Sequence, residues 1–99
     1  MTAGRDGGDV KSIEYYTQKR EEAQARIVRI EKLLSASNHV VRWKYDGDRL
    51  RAERAQLNDD IKGYNCIIAH LESGIAISRY QNKEHAYRII ERERIMERR

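Results

Sequence analysis

The chain has 99 residues, of which 36 % are charged and 39 % hydrophobic, with a formal net charge of +4, no proline and no phenylalanine. That length allows one small domain, and so few large apolar side chains exclude a thick globular core. The single cysteine, Cys66, excludes an internal disulfide and fits a reducing, cytoplasmic setting.

A proline-free chain rich in Arg, Glu, Ala, Ile and Leu reads as long helix. No apolar run reaches membrane-spanning length, and the N-terminus lacks the apolar stretch of a signal peptide, so no membrane partner is expected. Acidic residues interleave with basic ones throughout, unlike the cleaner basic stripe of a nucleic-acid footprint.

In chain order, residues 1–9 read as a flexible, glycine-rich lead, with Asp9 suited to cap a helix. Steps of three and four then link Ile13, Tyr16, Arg20, Ala23, Ile27, Ile30, Leu34, Ser37 and Val41. This is a heptad seam, interrupted at Arg20 and Ser37, and it predicts a helix over 10–45. Asp46, Gly47 and Asp48 then read as a turn over 46–48. Gly47 can adopt the left-handed conformation that ends a helix, and Asp48 can cap the next. A second seam of Leu50, Leu57, Ile61, Tyr64, Ile68, Leu71 and Ile75, broken by Arg54, predicts a helix over 49–73.

Folding back at Gly47 makes an antiparallel hairpin. Its seam is expected to be built from Ile27, Ile30, Leu34, Leu57, Ile61, Ile68 and Leu71, with Ile30 near Tyr64 and Ile27 near Ile68. The pattern loses its phase in "LESGIAISRYQ", residues 71–81. There Gly74 disfavours helix, and Ser78 with Gln81 matches a capping box, so a break or kink is expected, with a second helix running on to the C-terminus as the competing reading. A third helix over 78–98 follows, with Ala86, Ile89, Ile90, Ile95 and Met96 apolar and Tyr80 and Tyr87 on an adjacent face. The expected fold is therefore all-α: a long, coiled-coil-like antiparallel hairpin with a shorter third helical segment, forming one domain over 10–99.

Chemistry is hard to place on this pattern. Cys66 and His70 lie one helical turn apart and make half of a zinc site, but the expected registry sets Val28 and Gln24 opposite them. The oxygens of Asn58, Asp59 and Asp60 diverge on a helix. No nucleophile stands with a base and an orienting group, and no glycine loop follows a strand. The chain therefore reads as a non-enzyme without metal, cofactor or small-molecule ligand.

Trp43 and Tyr45 stand among Arg42, Lys44, Arg49 and Arg51. In order of preference, the two aromatics cover the end of the hairpin, contact a protein, or stack on bases while the cations hold phosphates. In length, in Trp43 near the expected turn, and in Tyr80 with Glu84 or Tyr87 with Glu91, the chain resembles the small Trp-X-Gly hairpin family of type VII secretion substrates. Tyr45 occupies the motif's glycine position, and Gly47 comes two residues later. The resemblance implies a helical hairpin that acts as a small secreted partner of a larger effector.

The flanking apolar residues Tyr15, Val28, Leu33, Ile67 and Ile77 widen the stripe beyond what two helices cover. Helix-mediated association with a protein or with a second copy is therefore the expected activity, as a small assembly, adaptor or regulatory subunit. Val28, Leu33, Trp43, Tyr45, Ile67, Tyr80 and Tyr87 are the candidate contacts. Nucleic-acid binding through the basic turn and the C-terminal arginines is the alternative.

Overall fold

A computed structural model of the chain describes residues 10–35 and 44–97. It is all-helical. Helix α1 spans Ile13–Ser35, α2 spans Lys44–Ser73, a single 3-10 turn covers Ile77–Arg79, and α3 spans Lys83–Glu97. Helices α1 and α2 form the antiparallel hairpin, and α3 packs back along α2. Among the described residues no helix is long and apolar enough to cross a membrane.

The ends of the helices are set by local chemistry. Ser12 caps α1, its hydroxyl accepting the Tyr15 N–H at 3.1 Å; the expected cap, Asp9, lies outside the described residues. Helix α2 ends in a left-handed residue, Gly74, with φ of 78°. The Gly74 N–H donates to the His70 carbonyl at 2.8 Å, satisfying one of the carbonyls a helix end leaves open. The His70 ring donates from Nδ1 to the Ile75 carbonyl at 2.6 Å, and the Ser73 hydroxyl accepts the Ile75 N–H at 3.0 Å. The chain is therefore broken at Gly74. The third helix starts at Lys83 and not at Ser78, which belongs to the 3-10 turn. Its first turn is closed by the Asn82 carbonyl, which accepts from His85 and Ala86 at 3.1 and 3.3 Å.

The reversal does not lie at residues 46–48. Asp46, Gly47 and Asp48 sit in the first two turns of α2, and Gly47 is helical and buried. The same residue types suit both places. Negative charge is favoured near the start of a helix by its dipole, and a glycine is tolerated within a helix at a cost of about 1 kcal/mol relative to alanine. Helix α1 is described to Ser35 and α2 from Lys44, so residues 44 and 45 belong to α2 and the connection falls outside the described residues.

This moves the registry. Tyr64 meets Tyr16, with ring centroids 6.1 Å apart, not Ile30. Arg26 chelates Glu53 at 2.8 and 2.9 Å, and Arg20 reaches Asn65 at 2.7 Å. Ile27 therefore lies about 20 Å from the level of Ile68 at 1.5 Å per residue, and the expected contact between them is replaced. Of the expected seam, Ile30 and Ile68 are buried, while Ile27, Leu34, Leu57, Ile61 and Leu71 are half-buried.

The main core lies at the open end of the hairpin. It joins Tyr16, Tyr64, Cys66, Ile67, Ile68, Ile77, Ala86, Ile89 and Ile90. Ile67 was expected to face a partner. It is instead fully buried, because α3 lies over that side of α2. The close approach is made at Gly63. A Cβ there would stand 2.5 Å from Ile89 Cδ1 and 2.7 Å from the His85 carbonyl oxygen. Only a glycine lets the backbone of α3 come this near.

Candidate association surface

Two kinds of surface result: faces used within the chain and faces left open. The inner faces of α1 and α3 are clasped by a polar cluster. The Tyr16 hydroxyl donates to Glu93 Oε1 at 2.9 Å and accepts the Lys11 N–H at 3.2 Å. The Tyr15 hydroxyl donates to Glu93 Oε2 at 3.1 Å, and the Lys11 ammonium pairs with Glu97. The two tyrosine rings meet edge to face, with centroids 5.0 Å apart. Burial, and then the Glu93 carboxylate, pushes the Tyr15 phenol up to about 12. Burial likewise raises Tyr16 and Tyr64. Arg92 reaches Asp60 at 3.5 Å, tying the middle of α3 to α2. These groups stay protonated or paired at neutral pH, and their role is to hold the helices together.

Cys66 is buried, and burial pushes its thiol up, away from the reactive thiolate. With His70 committed to the Ile75 carbonyl, the two do not share a site. Among the described residues no three His, Cys, Asp or Glu side chains converge on a point that could hold a metal.

The open faces are on α1 and α3. On α1, Val28 is 51 % and Leu33 45 % exposed. With Ala25 they form a shallow apolar strip edged by Arg29 and Lys32. On α3, Tyr87, Ile95 and Met96 are 45, 52 and 66 % exposed. They share a second strip with Glu84, Arg88 and Glu91. Val28, Leu33 and Tyr87 thus stand where an external contact can reach them.

The other expected contacts are placed differently. Tyr80 is half-buried against the core, and its hydroxyl shares a 2.8 Å hydrogen bond with Ser73. Arg42 and Trp43 lie outside the described residues. Lys44 and Tyr45 open α2, and their side chains also lie outside the description. Arg49 is exposed beside Arg26, Leu50 and Glu53, while Arg51 pairs with Asp48 at 2.6 Å. Arg49 and Arg51 are therefore each accompanied by an acid. The Arg26 guanidinium holds the Glu53 carboxyl below its ordinary value.

Sequence reasoning did not single out Gly63, the Tyr15–Tyr16–Glu93 cluster, or the exposure of Ile95 and Met96. Gly63 left one signal: a glycine inside a strong helical pattern is costly unless packing needs it. The tyrosine cluster left none, since it joins residues far apart in sequence.

Comparison with protein-family models, with curated proteins and with solved structures found no match for this chain.

Proposed function

We propose that this protein is non-enzymatic and acts by packing its helices against other protein, as an assembly, adaptor or regulatory subunit. The observation that carries this reading is the exposure of Val28 and Leu33 on α1, and of Tyr87, Ile95 and Met96 on α3. The chain already has a closed core, with Tyr16, Ile30, Ile67 and Ile89 fully buried. The exposed residues are thus surplus to the fold, and contiguous apolar patches of this kind mark association surfaces. Helical strips with charged edges suit an amphipathic partner helix, and the cationic edges of the α1 strip suit one with acidic flanks. The pairing of Arg51 with Asp48 and of Arg26 with Glu53 reduces the free positive charge a phosphate backbone would need.

The test compares the parent with a Val28→Lys, Leu33→Lys double variant in pull-downs at moderate and high salt. Both sites are exposed, so circular dichroism should report an unchanged helical content. The parent is expected to retain a defined protein partner, itself included, at high salt, and the variant to lose it. Binding to nucleic acid alone, lost steeply as salt rises, would overturn the reading.

A further inference from the structure

We propose that α3 is an exchangeable arm: the chain opens at Gly74, α2 runs straight on into α3, and α3 docks on α2 of a second copy of this chain, which returns its own α3. The proposal stands apart from the association reading above, because it uses an inner contact of the fold and neither of the open strips.

The hinge is one residue. Among the described residues Gly74 alone has a positive φ, and nothing lies within 4 Å of the place its Cβ would take. No proline stands between residues 74 and 82 to forbid a helix there. Gly74, Ile75, Ala76, Ser78 and Arg79 are exposed. The closed linker is held by buried Ile77, by the hydrogen bond between Ser73 and Tyr80, and by the bond from His70 to the Ile75 carbonyl. Opening gives these up, and the backbone hydrogen bonds of a continuous helix replace them.

The contacts of α3 fit the exchange. In the closed chain Arg92 lies 3.5 Å from Asp60, and Gly63 lies against His85 and Ile89. The midpoints of these antiparallel pairs fall at residues 74–76, on the break itself. A twofold axis at that point, perpendicular to the straightened helix, carries α3 of one copy into the place that the other copy's α3 leaves. It does so only if the contact faces of α2 and α3 lie on one side of the continuous helix. At about 100° per residue, Asp60, Gly63, Ile67, His85, Ile89 and Arg92 all fall within an arc of about 80°. Tyr64 and Glu93, which both meet Tyr16, differ by only about 20°. Each residue more or fewer in the linker would turn these faces apart by about 100°. Lys11, Tyr15 and Tyr16 therefore receive Glu97 and Glu93 of the second copy as they receive their own. Tyr16 lies beside Tyr64, so α1 begins short of the axis and the two copies of α1 stay on opposite sides of it. The inner contacts are thus the same in both forms, and only the linker and the protein concentration choose between them.

The experiment uses the full chain as the parent, a Gly74→Ala variant and a Gly74→Asn variant. Each is refolded over a concentration series, and mass is read by sedimentation. The parent is expected to be monomeric when dilute and to gain a dimer as concentration rises. Gly74→Ala strains the closed turn and favours the straight helix, so it should dimerise at a concentration lower by roughly tenfold or more. Asparagine tolerates the left-handed turn, so Gly74→Asn should follow the parent. The exchange itself is tested in the Gly74→Ala chain by adding Asp60→Arg to one batch and Arg92→Asp to another. Gln56 also donates to Asp60, at 3.0 Å, and is the same in both batches. Alone, each batch sets like charges together, whether its chains are closed or exchanged. Refolded together, only exchange between unlike chains restores both opposite-charge pairs. Native mass spectrometry should then find more heterodimer than the half expected from random pairing. Should either batch alone fail to fold, the mixture should still fold, as the heterodimer. A Gly74→Ala chain that stays monomeric throughout, a Gly74→Asn chain that dimerises like it, or a mixture without heterodimer enrichment would each overturn the proposal. A monomeric Gly74→Ala chain whose binding to another protein still depends on Val28 and Leu33 would overturn the exchange alone and leave the association reading standing.

Discussion

The two ends of the hairpin are built differently. At the open end, three helices meet, and Tyr16, Ile67 and Ile89 are fully excluded from water. Toward the reversal only α1 and α2 run side by side. Ala23 and Ile30 are buried there, but Ile27, Leu34, Leu50 and Leu57 are half-exposed. The apolar periodicity is similar in both regions. The difference is α3, whose contacts fall on the start of α1 and the C-terminal half of α2. A pair of helices covers one seam, and a third neighbour is needed to turn flanking residues into core. That is why Ile67 is core while Val28 and Leu33, also flanking residues, remain at the surface.

The sharpest way to expose this contrast is to shorten one isoleucine in each region. Ile68→Ala, at the three-helix end, should cost about 2–5 kcal/mol, and Ile27→Ala, half-exposed on the arm, about 1 kcal/mol. Denaturant titration reads both. The double variant should be additive to within about 0.5 kcal/mol, as expected for sites without shared partners. A coupling above that would contradict the registry set by Tyr16 with Tyr64 and Arg26 with Glu53.

The next effect isolates the α2–α3 contact. Gly63→Ala would drive a Cβ into the His85 backbone, which cannot swing aside as a side chain can. A loss of about 1–3 kcal/mol is expected from overpacking. Amide hydrogen exchange should quicken in α3 and much less in the second half of α1; uniform quickening would mean that the two regions unfold as one unit.

Gly74→Ala acts through the backbone alone, since nothing lies within 4 Å of the added Cβ. The left-handed φ should cost about 1 kcal/mol by thermal melting. A variant as stable as the parent would show that α2 can continue past residue 73 without penalty.

The tyrosine clasp should show as loss of stability in alkali. The folded Tyr15 phenol is raised from 10.0 to about 12, so the unfolded chain gives up this proton first. The stabilisation is complete below pH 10 and falls away as pH rises through about 12. Tyr15→Phe should flatten that part of the pH–stability curve, and an unchanged slope would place the alkaline loss elsewhere.

On the arm, Glu53→Gln should have the smallest effect. It breaks the Arg26 chelate, but both side chains are well exposed, and surface pairs contribute little. A marginal change in melting temperature is expected. A large one would show the arm to be held by this pair more than by Ile30.

Periodicity and composition made the helices legible, along with their antiparallel pairing and a weak point near Gly74 (though not whether the helix breaks or kinks there), because those follow from steps of three and four and from one residue's backbone freedom. The exposed positions Val28, Leu33 and Tyr87 were legible for the same reason: a residue beside a seam has no second partner until one is supplied. The reversal point was not. "DGD" serves equally as a turn or near the start of a helix, and local sequence does not separate those uses. A reversal displaced by a few residues shifts every cross-helix pair by twice as many, so Tyr16 took the place of Ile30 opposite Tyr64. The burial of Ile67, the need for glycine at 63 and the sharing of Glu93 by Tyr15 and Tyr16 were decided only when α3 docked. Each depends on groups far apart in the chain meeting at a few ångströms, and no local pattern carries that distance.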